Sequence, residues 1–222
     1  MKNKLNQICL IFFFALLLAS CAGAGLTPAA SAVPDPGPTS IAPQPEKSQP
    51  VNSTGVIRFS VLSLEEGLSQ SVVNCILQDR LGFLWLGTQD GLNRYDGYNF
   101  KIYKPDPNDP NSISDGWINA LYEDKNGFLW IGTAQGGLNK YDPLTGKFTR
   151  FQHNPKDDAS LSIGEINAIL EDNSGKLWVG TDTGLNRFDP TDGTFTRFQN
   201  NPDDPGSLSD NHVDAIFQDK QG

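Results

Sequence analysis

The residue types that carry most protein chemistry are sparse in this chain. It has two histidines and three cysteines among 222 residues. His153 and His212 stand far apart and away from any cysteine, so neither a histidine-based metal site nor a nucleophile–histidine pair is indicated. Cys9, Cys21 and Cys75 follow no regular spacing, and an odd count builds no disulfide framework. No glycine-rich phosphate loop, serine elbow or kinase motif occurs. Asp106-Pro107-Asn108-Asp109-Pro110-Asn111 and Asn201-Pro202-Asp203-Asp204-Pro205 are rich in oxygen ligands of the kind calcium prefers. Their spacing is not that of an EF-hand and no closing Glu follows, so they read as solvated turns; no metal and no cofactor is expected. What remains is the chemistry of binding. Trp117 could stack on a sugar ring, and Glu165 or Asp182 could accept hydrogen bonds from its hydroxyls. His212, Gln89, Asp90 and Gln135 complete the set of candidate binding residues.

The charge balance narrows the partners. Lys and Arg number 17 against 26 Asp and Glu, a formal net charge of −9. A nucleic-acid binder needs clustered positive charge to displace phosphate counterions, so no nucleic acid is expected. With 22 Gly and 15 Pro, the chain is punctuated densely enough to predict short strands and many turns.

The N-terminus reads as an export signal. Lys2 and Lys4 precede an apolar run over residues 8–18, too short to span a bilayer as a mature helix but of the length of a secretory core. Leu18-Ala19-Ser20-Cys21 follows and resembles the bacterial lipobox, which makes Cys21 the expected lipidation site and residues 1–21 a lipoprotein signal peptide. A multi-chain lipid anchor buries enough methylenes, at about 0.8 kcal/mol each, for stable membrane attachment. Residues 22–55 carry seven prolines between Pro28 and Pro50 among Ala, Ser, Gly and Thr, with no apolar period. They read as a disordered tether.

Residues 56–222 are a repeat. Trp85, Trp130 and Trp178 stand 45 and 48 residues apart, and the same phrase surrounds each: an apolar strand, Asp-x-x-Gly, a run ending in Trp-x-Gly-Thr, and Gly-Leu-Asn-Arg/Lys-Tyr/Phe-Asp. A fourth copy begins at Val213-Asp214-Ala215-Ile216-Phe217-Gln218-Asp219. A period of this size predicts propeller blades. Each unit holds four strands, here called a to d; in the second copy these are expected over 118–123, 128–133, 138–141 and 147–151. Four short antiparallel strands make one blade, and blades must stack to bury both faces. The fold class is therefore all-β: a β-propeller of four-stranded antiparallel blades, with three complete repeats plus the start of a fourth, an incomplete ring. Ile57-Arg58-Phe59 reads as a solitary strand d, of the kind that pairs the two termini of a closed propeller, and the chain is expected to be part of a longer one. Cys75 aligns with Ala120, Ala168 and Ala215 and reads as a small buried side chain.

Residues that recur in every copy serve packing, since a group needed once for chemistry would not return in each blade. Variation should therefore mark a binding face. Strand geometry places the Asp-x-x-Gly and c–d turns at one rim. At the other lie Val72, Trp117, Glu165 and His212, each leading into a strand a, and the b–c loop residues Gln89-Asp90, Ala134-Gln135 and Asp182-Thr183. A rigid scaffold with varied loops at one mouth is how ligand sites are commonly built.

The segment Glu66-Gly67-Leu68-Ser69-Gln70, with Gln78-Asp79, Gly82-Phe83-Leu84-Trp85-Leu86-Gly87-Thr88 and Asp90-Gly91-Leu92-Asn93-Arg94-Tyr95-Asp96-Gly97, resembles the start of the two-component regulator propeller family. The resemblance covers about residues 56–222 and implies rings of roughly seven blades. It also implies the extracytoplasmic sensor region of a bacterial membrane receptor, with a histidine kinase or diguanylate cyclase output elsewhere in the parent. No catalysis is expected in this chain itself. The implied partners are a small-molecule or oligosaccharide ligand, a membrane through the lipid anchor, and a second copy in a homodimer of the parent. A lipobox departs from the plain signal peptide usual for such receptors. That departure keeps a free-standing surface lipoprotein, binding glycan or protein, as the alternative; a propeller lyase is a third reading.

Overall fold

The structure is a computed structural model and describes residues 60–219. The expected signal peptide, Cys21, the tether and the strand at Ile57-Arg58-Phe59 lie outside the described residues. Within them, twelve strands form three sheets. Sheet I contains β1 (Val73–Gln78), β2 (Leu84–Thr88), β3 (Gly91–Tyr95) and β4 (Phe100–Tyr103). Sheet II contains β5 (Ile118–Glu123), β6 (Leu129–Thr133), β7 (Leu138–Asp142) and β8 (Lys147–Phe151). Sheet III contains β9 (Ile166–Glu171), β10 (Leu177–Thr181), β11 (Gly184–Asp189) and β12 (Thr194–Phe198). Every sheet is an antiparallel meander in chain order. Contacts between sheets gather at their first strands, which identifies these as the inner strands of a propeller. Among the described residues the ring is not closed.

The second strand of each sheet is the most buried, as its nearly unbroken apolar sequence requires. Its glycine is needed because the first strand of the next sheet crosses it. A Cβ on Gly87 would lie 2.5 Å from Cys75 Sγ and 2.7 Å from Ile118 Cγ2, and one on Gly180 would lie 2.7 Å from Val213 Cγ1. Cys75 fills this seam, and burial pushes its thiol up to about 12, so it stays protonated and inert.

Aromatic boxes join the sheets. Between sheets I and II, Trp85 meets Tyr103 and Tyr141 at centroid distances of 5.8 and 5.3 Å, with Phe148 against Tyr141. Between sheets II and III, Trp130, Phe151, Phe188 and Phe195 repeat the arrangement. Edge-on and offset rings of this kind add to the area they bury.

A polar device locks each loop onto its sheet. Asn93, Asn139 and Asn186 are fully buried, and their side-chain oxygens accept from the amides of Ser69, Ser114 and Ser162 at 2.9 to 3.0 Å. Their amide nitrogens donate back to the same serines' hydroxyls. Satisfying both ends is what allows an amide at zero exposure.

Two expectations differ in detail. Residues 213–219 form no strand among the described residues, although Val213 N donates to Thr181 O at 2.9 Å. A first strand is held by the ladder to its own second strand, and among the described residues this segment meets only the neighbouring sheet. Trp178 is half-buried, whereas Trp85 and Trp130 are buried to 2% and 3% exposure, because among the described residues no further sheet covers its outer face.

Candidate functional site

The two rims are built differently. At the turn rim the Asp-x-x-Gly aspartates perform one task three times. Asp79 Oδ1 accepts from the amides of Leu81 and Phe83, and its Oδ2 accepts from the Trp85 indole at 2.7 Å. Asp124 does the same for Asn126, Phe128 and Trp130, and Asp172 for Ser174, Lys176 and Trp178. Burial alone would push Asp172 up. The Ser174 hydroxyl, the Trp178 indole and two backbone amides outweigh it and hold the carboxyl at about 2. The aspartates are thus turn caps and tryptophan anchors. The chain spacing was visible, always six residues from Asp to Trp, but nothing in the spacing alone says that the indole reaches back.

Neighbouring turns are bridged as well. Arg80 donates from its backbone amide and Nε to the Glu123 carboxylate at 2.9 and 2.7 Å, and Lys125 N donates to Glu171 at 2.8 Å. A cleft of about 200 Å3 opens beside the first of these bridges, lined by Trp85, Phe128, Leu129, Tyr141 and the exposed Leu81 and Leu144. Sequence reasoning did not single out this cleft.

At the opposite mouth the three sheets differ. Trp117 is 47% exposed. Its backbone is pinned on both sides, its amide donating to Asp115 Oδ1 at 3.2 Å and its carbonyl accepting from Ala134 N at 3.0 Å. The other oxygen of Asp115 accepts from Gln135 N at 2.9 Å, so Asp115 joins Trp117 and Gln135 into one unit. The b–c loop of sheet II carries one residue more than its counterparts. It presses so closely that a Cβ on Gly136 would lie 2.7 Å from that of Asp115. In sheet III, Glu165 and Asp182 come together: Asp182 Oδ1 accepts from Glu165 N at 3.0 Å, and Glu165 O accepts from Asp182 N at 3.3 Å. Both side chains are exposed. Asp90 pairs instead with Lys104 at 2.7 Å, and Gln89 beside it is exposed. His212 stands apart, its Nε2 2.9 Å from Asp214 Oδ1 and its amide donating to Asp210.

A cleft of about 330 Å3 lies at this mouth between sheets II and III, lined by Gln135, Gly136, Gln152, His153, Ser162 and Ile163. His153 Nδ1 donates to Leu161 O at 3.0 Å, and Asn200 in the next repeat donates to Leu208 O in the same way. That equivalence gives His153 a structural task shared with Asn200. The structure therefore joins Trp117 to Gln135 through Asp115 and Glu165 to Asp182, two separate pairs on one rim, and leaves Asp90 with Lys104 and His212 with Asp214. Asp115, which organises the group, was missed because its value lies in backbone contacts.

The three sheets and their two unlike rims define a segment of a repeat-built β-propeller. The chain carries three repeats of the two component regulator propeller family, matched at residues 67–90, 112–135 and 160–183. It is similar in structure to the extracellular domain of a hybrid two component system of Bacteroides thetaiotaomicron, with a TM-score of 0.62 and 33% identity over 69% of this chain and 21% of that one. A second extracellular domain, of a one component system from the same organism, matches at a TM-score of 0.59 and 24% identity over 70% of this chain and 20% of the other. The latter identity supports the fold alone. A histidine kinase of Formosa agariphila is 59% identical over 49 residues, 22% of this chain and 4% of the kinase. The chain thus spans about a fifth of the extracellular domains it matches. Its relatives include the extracellular domain of a two-component sensor system.

Proposed function

We propose that residues 56–222 are part of an extracytoplasmic, ligand-sensing β-propeller of a two-component receptor, and that the ligand is a small polyhydroxylated molecule or oligosaccharide bound at the mouth. One observation carries this reading. The turn rim repeats the same aspartate–tryptophan bond in each sheet, while the mouth departs from repetition at Trp117, Gln135, Glu165 and Asp182, where Asp115 pins the backbone beneath a half-exposed indole. An indole face takes the apolar face of a sugar ring, and carboxylates nearby take its hydroxyls. In the parent, binding would bias an output region between two states, through blade packing or dimer geometry.

Titrating the chain with oligosaccharides while following tryptophan emission tests this. A saturable change in the wild type that Trp117→Ala removes supports the mouth as the site; a change that survives Trp117→Ala overturns it. The alternative, a surface lipoprotein that binds glycan or protein without signalling, draws on Leu18-Ala19-Ser20-Cys21. Both readings place a lipid on Cys21. Metabolic labelling with a fatty acid should mark the wild type and not Cys21→Ser; label retained in the serine variant rejects the anchor.

A further inference from the structure

Sheets II and III are each preceded by a seven-residue loop of one design, Asp/Asn-Pro-x-Asp-x-x-Ser, at 106–112 and 154–160, and a third such loop spans 201–207. All three close identically. The serine hydroxyl donates to the first residue's carbonyl, at 3.1, 3.1 and 3.0 Å, and accepts from that residue's amide at 2.9, 2.9 and 2.8 Å.

The first two loops each hold an arginine from the last strand of the sheet that follows. Arg150 donates from Nε to Ser112 O at 2.8 Å and from Nη2 to Asp109 O and Ser112 Oγ at 2.9 and 2.7 Å. Arg197 makes the same contacts to Ser160 O, Asp157 O and Ser160 Oγ at 2.9, 3.1 and 2.8 Å. Two residues before each arginine, Phe148 N and Phe195 N donate to Asn111 O and Ala159 O. The guanidinium fork suits a set of converging oxygens that a single ammonium cannot satisfy together.

Sheet I is the counter-case. Its last strand places Ile102 opposite Asn93, the register that Arg150 and Arg197 hold opposite Asn139 and Asn186. The segment before sheet I also lacks the loop, being closed instead by Glu66 on Ser63. In sheets I to III the loop and the arginine occur together or not at all.

The third loop is formed, and among the described residues no arginine bonds to it. Its carbonyls at Asp204, Gly206 and Ser207 are the equivalents of those bonded in the other two. A cleft of about 520 Å3 runs beneath it, lined by Trp178, Phe198, Asp204, Gly206, Ser207 and Leu208. Trp178 and Phe198, 5.6 Å apart, are half of an aromatic box. The equivalent Trp130 and Phe151 are completed by Phe188 and Phe195 of the following sheet. Asp203 and Asp204 make the loop acidic, and the partner position is cationic wherever it is filled.

We propose that the 201–207 loop with Trp178 and Phe198 is an arginine-reading socket. It takes a β-strand of the pattern Phe-x-Arg-aromatic, carried by a blade of this repeat class whose first strand is residues 213–219. The socket selects its neighbour: a blade of the sheet I kind, with isoleucine at the arginine position, fits the aromatic box but leaves the loop carbonyls unanswered.

The test extends the full chain at Gly222 with a second copy of residues 128–151, which continues Asp219-Lys220-Gln221-Gly222 as another Asp-x-x-Gly turn. Hydrogen exchange over 213–218 should slow by at least ~10-fold and Trp178 emission should shift to the blue. Arg150→Ala or Arg150→Lys in the appended copy should lose most of that protection. A second extension, residues 176–198 with Arg197, guards against one graft failing to fold. The proposal is overturned if the alanine variant protects as well as the arginine form, or if neither extension changes exchange over 213–218.

Discussion

The turn rim and the mouth of this propeller are made from the same repeats and have opposite characters. At the turn rim, three tryptophans each give their indole hydrogen to an aspartate six residues earlier. At the mouth, Trp117 presents a half-exposed ring at a position where the other copies carry Val72, Glu165 and His212. One residue type thus serves as anchor in one place and as an available surface in the other. In a repeat protein, sameness from copy to copy reports packing, and departure from it reports where a copy has been freed for something else.

The sharpest way to break this division is at its anchors. Trp130→Ala should cost about 3–5 kcal/mol, since the indole fills the box with Phe151 and Phe188 and nothing can collapse into its place. A denaturant-unfolding midpoint corresponding to under ~1 kcal/mol would remove Trp130 from the core. Asp124→Ala should cost about 2–3 kcal/mol, because it strands the buried Trp130 indole hydrogen and two turn amides. If Asp124→Ala and Trp130→Ala combine additively in the same assay, the two residues do not act as a unit.

A smaller effect follows from acid. Asp172 and Asp189 are both held at about 2, below their ordinary 3.8. For Asp189 the Lys176 ammonium is the leading cause, followed by the amide and hydroxyl of Thr191. A carboxyl depressed in the folded state stabilises it above the unfolded value, and that contribution disappears as pH falls from 3.8 through about 2. Thermal midpoints should be flat above pH 5 and fall across that window, and Asp172→Asn should flatten the fall. The smallest expected change is at the mouth: Trp117→Ala should alter stability by less than ~0.5 kcal/mol, measured by the same unfolding curves. A loss like that of Trp130→Ala would make Trp117 another packing residue.

Much of the fold was legible in the sequence because the repeat states it several times. The second-copy strands expected over 118–123 and 147–151 coincide with β5 and β8, and the other two differ by one residue at one end. What was not legible is what depends on two distant segments meeting. The buried Asn139 reads as one more repeated letter until its side chain is seen holding Ser114. Arg150 drew no notice in the sequence, and its task shows only where the 106–112 loop folds around it. The candidate site was legible as a face, because strand alternation fixes which loops share a rim, but not as a set. Asp90 turned out to pair with Lys104, and Asp115, unremarkable in sequence, ties Trp117 to Gln135.

The central claim, that ligand recognition belongs to the mouth and not to the turn rim, is tested most directly by one binding measurement on three forms of the full chain. Wild type, Trp117→Ala and Leu144→Asp would be applied to the same oligosaccharide array, Leu144 being the most exposed apolar residue beside the turn-rim cleft at 94%. The account predicts that the glycans retained by the wild type are lost by Trp117→Ala and kept by Leu144→Asp. The reverse pattern, or wild-type retention untouched by Trp117→Ala, would contradict it.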